Sequence, residues 1–158
     1  MHFPSRRIVT GLDAQGRSTV FIDDNSGFEA GGGGNDAMLL WQSREMPPSN
    51  EGNADAAQEG FAFPLSKGAT QCLLFDMAPS DDLAPPGMHL TDTLDYIAIM
   101  RGAVTLYLED GEVDAVAGDI VIDRGVIHGW RNKGPDHARM LVVIIGAEPL
   151  DGNAKAHA

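Results

Sequence analysis

The sequence predicts an all-β protein built as a single domain, and three observations carry this. The apolar runs are short and rich in Val, Ile, Leu and Phe, and no window of helical length shows a sustained apolar stripe at three-and-four spacing. Nineteen glycines and nine prolines cut the chain into short pieces. From residue 68 onward, strand-like runs recur at an even spacing that suits a closed barrel or sandwich. At 158 residues the chain fits one domain with room for a real core.

The elements are read in chain order. Arg7 to Thr10 and Ser18 to Ile22 read as two strands joined by the hairpin loop Asp13-Ala-Gln-Gly16. The glycine run Gly31 to Gly34 reads as a flexible loop; it lacks the Gly-Lys-Ser/Thr and the helix of a phosphate-binding loop. Ala37 to Trp41 reads as a strand. Residues 43–60 are polar, contain Pro47-Pro48, and read as the least structured region, a mobile loop or a lid. Strands follow at Thr70 to Met77, Asp95 to Met100 and Val104 to Glu109. Asp110-Gly111 is a hairpin signal, because glycine supplies the positive φ of a tight primed turn. Glu112 to Val116, Ile120 to Ile122, Ile127 to Arg131 and Ala138 to Ile145 complete the set. No repeat or linker divides the chain. The expected organisation within one domain, 1–158, is N-terminal strands and loops over 1–67, a barrel core over 68–148 and a C-terminal tail over 149–158.

Eleven basic against 23 acidic residues give a formal net charge of −12. Nucleic acid and anionic membranes reward positive charge, so both are disfavoured as partners. No helix-turn-helix pattern is present. The single cysteine, Cys72, excludes an intrachain disulfide, and within Cys72-Leu-Leu-Phe75 it reads as a small buried hydrophobe. The start, Met1-His-Phe-Pro-Ser-Arg-Arg, lacks the apolar stretch of a signal peptide, and the run from Met140 to Ile145 is too short to span a bilayer. A cytoplasmic setting and a small-molecule partner are expected.

Two polar signatures stand out, His89-Leu-Thr91-Asp-Thr-Leu-Asp95-Tyr96 and Gly125-Val-Ile-His128-Gly-Trp-Arg-Asn132. On a straight strand, positions six apart lie roughly 20 Å from each other. Donor atoms on one metal ion each lie about 2.0–2.2 Å from it. His89 and Asp95 can therefore share an ion only if the chain reverses between them, and Thr91-Asp92-Thr93 is short and polar enough to do so. His128 must reach the same point from another hairpin. On the residues alone, these histidines read equally as buried, hydrogen-bonded side chains of a barrel without metal. His2 and His157 lie near the termini, and His137 reads as a turn residue.

The two signatures resemble the two motifs of the cupin superfamily, small β-barrels that often bind one divalent metal. The first motif is His-x-His, three or four residues, Glu, six residues, Gly. Here His89 matches the first His, Thr91 stands where the second belongs, Asp95 stands for the Glu, and Gly102 keeps the spacing. Gly125, His128 and Asn132 match the end of the second motif, with Gly118-Asp119 at its start, one residue short and without the expected Pro. The chain is similar in particular to a subgroup of single-domain cupins from bacteria and fungal secondary-metabolite clusters. The resemblance implies a double-stranded β-helix (jelly-roll) barrel with additional N-terminal strands.

It implies a divalent metal ion, Fe, Mn, Ni or Zn, on His89, Asp95 and His128. Two His and one carboxylate is the facial donor set of many non-haem Fe(II) sites. Thr91 would position water. Trp130 shares a face with His128 and reads as a pocket wall or as core packing. Arg124, where many members carry proline, is placed to meet a carboxylate substrate or to pair with Asp123. Tyr96 faces away from the metal by parity. The expected activity is that of a metal-dependent enzyme acting on a small organic acid, enol or aromatic ketone, as a decarboxylase, dehydratase or oxygenase. The alternatives are a non-catalytic binding barrel and a metal-free isomerase using His as general base. No catalytic residue is assigned. Open sheet edges favour a homodimer.

Overall fold

A computed structural model of the protein describes residues 5–81 and 86–150; His2, His157 and the tail beyond residue 150 lie outside them. Among the described residues the strands are β1 Arg7–Leu12, β2 Ser18–Asp24, β3 Phe28–Gly32, β4 Asn35–Ser43, β5 Thr70–Met77, β6 Thr93–Arg101, β7 Ala103–Leu108, β8 Gly111–Val116, β9 Ile120–Asp123, β10 His128–Arg131 and β11 Ala138–Gly146. Every strand pairing is antiparallel. Six strands form one sheet in the order β3-β4-β5-β11-β6-β9, three form a second in the order β10-β7-β8, and β1 and β2 pair only with each other.

The core lies between the two larger sheets. Met77, Ile97, Ile99, Val104, Ala115, Ala138 and Met140 form its buried cluster, with Phe75, Trp130 and Val142 packed against it. Strand alternation decides which side chains arrive there. Leu73, Phe75 and Met77 of β5, Asp95 and Ile97 of β6, and Met140, Val142 and Ile144 of β11 face one internal cavity. Asp76 and Arg139 lie on the other face of the same sheet. Tyr96 also points outward and is 45% exposed.

One reading of the N-terminal half is corrected. The glycine run is not a loose loop. Gly31 and Gly32 belong to β3, and the pairing Gly32↔Asn35 leaves Gly33-Gly34 as a two-residue turn. Both turn residues have positive φ, 63° and 87°, as a primed hairpin turn requires. Residues 44–55 carry neither helix nor strand, and the end of the 43–60 segment is anchored. Asp55 caps a short 3-10 helix, Ala56–Glu59, through the Ala57 N–H, and Ala57 is fully buried. Gln42 Nε2 donates to the Ala56 and Gly60 carbonyls at 3.0 and 2.9 Å. The end of this polar segment is held by Gln42 of β4 at the Ala56 and Gly60 carbonyls and by Arg7 of β1 at the Asp55 side chain.

The β1–β2 hairpin is tied to the barrel by Arg7. The guanidinium donates to both Asp24 oxygens at 2.9–3.1 Å, to both Asp55 oxygens at 2.8–2.9 Å and to the Leu40 carbonyl at 3.1 Å. Among the described residues no helix is long and apolar enough to cross a membrane.

Candidate functional site

The cavity has a volume of about 300 Å³ and brings His89, Asp95, His128 and Trp130 to one space. His89 and His128 meet by backbone pairing. Each donates its N–H to the other's carbonyl, at 2.8 and 3.0 Å. This sets the imidazoles side by side, with centroids 4.4 Å apart and a 58° tilt. The chain then bends at Asp92 and re-enters the sheet as β6, which carries Asp95 back onto the wall. His89 and Asp95 therefore line one cavity from either side of this bend. Gly125 accommodates the bend: φ is +67°, and a Cβ there would lie 3.0 Å from the Thr91 oxygen and 3.1 Å from that of Thr93. Trp130 stands edge-on to His128 at 6.3 Å.

β6 and β9 pair so that Asp95 lies directly opposite Asp123. Both are buried. Asp123 Oδ1 accepts the Gly125 N–H at 2.9 Å, an Asx-type turn that leads the chain toward His128. Asp123 Oδ2 lies 2.8 Å from His128 Nδ1. It is close but not aligned with the N–H, which is directed to the Val126 carbonyl at 2.9 Å. A carbonyl only accepts, so Nδ1 carries a proton and Nε2 is the atom left to act. His89 is set up alike, with Nδ1 3.2 Å from the Gly87 carbonyl. His128 is buried, whereas His89 is exposed at the cavity mouth.

Burial pushes the Asp95 carboxyl above the usual carboxylate range; the Thr93 hydroxyl opposes this and the Asp123 charge adds to it. For His128, burial favours the neutral ring, but the Asp123 carboxylate and the Val126 carbonyl outweigh it and the net shift is upward. Burial likewise pushes Asp123 up, and the facing imidazole reverses it to a net lowering. Asp95 Oδ1 is buried with no hydrogen-bond partner.

The cavity thus gathers four of the residues singled out in the sequence. Thr91 and Arg124 stand elsewhere. The bend at Asp92 turns Thr91 toward a surface groove that also includes Phe63, Lys67 and Glu148, and its hydroxyl is 2.8 Å from that of Thr93. Arg124 follows Asp123, whose side chain points inward, so it is exposed and absent from the described cavity wall. Asp123 was read only as a partner for Arg124, and it is the residue the sequence reading missed. The one local signal was its spacing, two residues before Gly125 and five before His128. Asn132 is structural. Its Nδ2 donates to the Met77 and Asp136 carbonyls at 3.0 and 2.7 Å, and its Oδ1 accepts the Gly134 N–H at 2.8 Å.

By chemistry the donor set fits a divalent transition metal. Both imidazoles have Nδ1 on an oxygen acceptor, the usual arrangement for metal-bound histidine, and the orphaned Asp95 oxygen supplies a carboxylate. By spacing it is not a closed shell: among the described residues, no three His, Cys, Asp or Glu side chains are gathered to hold an ion as they stand.

The profile of the Cupin domain matches residues 73–144, the span from β5 to β11 that holds His89, His128, Asp95 and Asp123. The chain is 30% identical over 156 residues to the cupin-domain-containing oxidoreductase srdB of Neurospora crassa, covering 94% of this chain and 77% of that protein. The chain belongs to the cupin family. This cupin is also 29% identical over 154 residues to the cupin-domain-containing oxidoreductase virC of Hypocrea virens, covering 91% of this chain and 77% of that protein. Among solved structures, the cupin domain of Schizosaccharomyces pombe Cnp3 matches this cupin with a TM-score of 0.54 at 10% identity, over 98% of this chain and 96% of that one; this likeness concerns the fold alone. The six- and three-stranded sheets are the two faces of its jelly roll.

Proposed function

We propose that this cupin is an oxidoreductase acting on a small molecule bound in the barrel cavity, with a divalent metal ion held by His89, His128 and Asp95. The observation that carries the reading is the convergence of two imidazoles and a buried carboxylate with one partnerless oxygen at one end of an otherwise apolar cavity. A buried acceptor without a partner is costly, and such groups occur where a ligand supplies the missing interaction. The similarity to two cupin oxidoreductases favours the same class.

When bound, the metal would supply Lewis-acid or redox chemistry. The chain's own residues do the rest. Asp123 and Val126 hold the His128 ring through Nδ1 and leave Nε2 for the ligand. The apolar walls exclude water and strengthen each electrostatic contact inside. The donors do not stand at coordination spacing, so loading requires them to close on the ion. Metal analysis after reconstitution is the test. About one equivalent of Fe, Mn, Ni or Zn is expected, lost in His128→Ala. Protein that takes up no metal overturns the reading. Decarboxylase or dehydratase chemistry would use the same donors, and product analysis separates it.

The open spacing favours one second reading, a metal-free site in which His128, oriented by Asp123, acts as general base. Tyr96 takes no part, since it faces away from the cavity. Turnover that survives exhaustive chelation would select this reading.

A further inference from the structure

We propose that the cavity selects an uncharged, largely apolar molecule with one hydroxyl group, and rejects carboxylates and phosphate esters. The proposal rests on the cavity being the substrate site, and it narrows the substrate class from organic acids to neutral enols or phenols.

The argument starts from what the walls lack. Among the described lining residues there is no Lys or Arg. The nearby arginines are committed elsewhere. Arg139 is on the other face of the sheet, bonded to both Asp76 oxygens. Arg131 follows Trp130 and lies 5.5 Å over the Tyr107 ring. Arg124 is exposed. The acidic side chains at the cavity, Asp95 with Asp123 opposite it, offer an anion no donor. An anion entering this space would lose its hydration and find no guanidinium or ammonium group on the described walls. Burying an unpaired ion is among the most unfavourable events in a protein interior.

The distribution of polar groups sets the rest. Leu73, Phe75, Ile97, Met140 and Val142 form apolar walls, with the Trp130 ring on one side. The polar groups, His89, His128 and Asp95, stand together. A ligand complementary to this space has an apolar body and places one hydroxyl at that end. Its O–H would donate to the partnerless Asp95 Oδ1. At about 300 Å³ the cavity stands at the small end of small-molecule sites and suits one or two fused rings.

A matched pair tests this: 2-naphthol and 2-naphthoate at neutral pH, titrated calorimetrically into the full chain. Each titration is run on metal-stripped protein and on protein reconstituted with metal. 2-Naphthol is expected to bind the stripped protein roughly tenfold or more tightly than 2-naphthoate. Trp130→Arg, which places a cation in the wall, is expected to narrow or reverse that preference. Equal or tighter binding of 2-naphthoate by the stripped wild type, or no binding of either probe, overturns the proposal. The stripped arm keeps this outcome separate from metal binding. A protein that takes up no metal yet prefers 2-naphthol loses the metal reading and keeps this one.

Discussion

One sheet buries carboxylates on both of its faces and treats them in opposite ways. On the outer face Asp76 meets Arg139 in a two-pronged ion pair, at 2.6 and 2.5 Å, with both side chains almost wholly buried. The Arg7 clamp is built alike, with Asp24 and Asp55 each taking two bonds from one guanidinium. On the inner face, Asp95 has an oxygen with no partner, and its cross-strand neighbour is another carboxylate. The outer pairs tie β5 to β11 and the N-terminal hairpin to the barrel. In the inner pair Asp123 shapes the turn toward His128, but Asp95 Oδ1 is left unmet, the mark of a place reserved for a ligand.

That contrast predicts a graded series. Arg139→Ala is expected to be the most damaging, because Asp76 stays buried without its counter-charge. A loss of about 3–5 kcal/mol in denaturant unfolding is expected, and a loss too small to measure would show that Asp76 finds water. Arg7→Ala should cost less, because Asp24 and Asp55 keep part of their hydration. Its signature is in pH. Arg7 bonding pulls Asp24 down to about 2 and holds Asp55 below the usual range, against a smaller opposing effect of burial. Carboxyls lowered by folding stabilise the fold above the unfolded value of about 4, and that stabilisation is lost as pH falls toward 2. In wild type, acid melting should show this loss. In Arg7→Ala it should be reduced, with stability already low at neutral pH.

On the inner side, smaller effects on stability should accompany larger effects on function. A Cβ at residue 129 would lie 3.0 Å from Met88 Sδ, 3.2 Å from Pro86 and 3.3 Å from the Gly87 oxygen. Gly129→Ala must therefore displace the segment that presents His89. A cost of about 1–3 kcal/mol is expected, with metal uptake weakened well beyond that of an equally destabilised outer-face variant. Asp95→Asn should change stability least, by under about 1 kcal/mol in either direction, since it removes a carboxylate that has no counter-charge. Unfolding midpoints and metal analysis on the same samples check both. A large destabilisation by Asp95→Asn would mean that Asp95 is a structural residue, and the contrast drawn here would fail.

Much of the barrel was legible before its structure. Thr70–Met77 matches the expected strand in full, and a hairpin turn falls where Asp110-Gly111 signals one, although its two turn residues are Glu109-Asp110 and Gly111, paired with Leu108, opens β8. These features are local: alternation and turn chemistry act over a few residues. The glycine run, and the anchoring at the end of the 43–60 segment, escape a local reading for a related reason. Glycine composition does not distinguish a flexible loop from a two-residue turn between paired strands. A polar segment reads as loop unless the distant side chains that bond it, here Gln42 and Arg7, are known.

The candidate site divides in the same way. The types and spacings of His89, Asp95 and His128 are written along the chain, and so is the need for a reversal between the first two. The facing of Asp123 onto His128 and Asp95, the exclusion of Thr91 and Arg124, and the absence of a cation from the described walls follow from strand pairing and from the bend at Asp92. Residue types and turn preferences are encoded over a few neighbouring positions. The company each buried charge keeps is set by hydrogen-bonded register between strands far apart in the chain, so it emerges only when the sheets close.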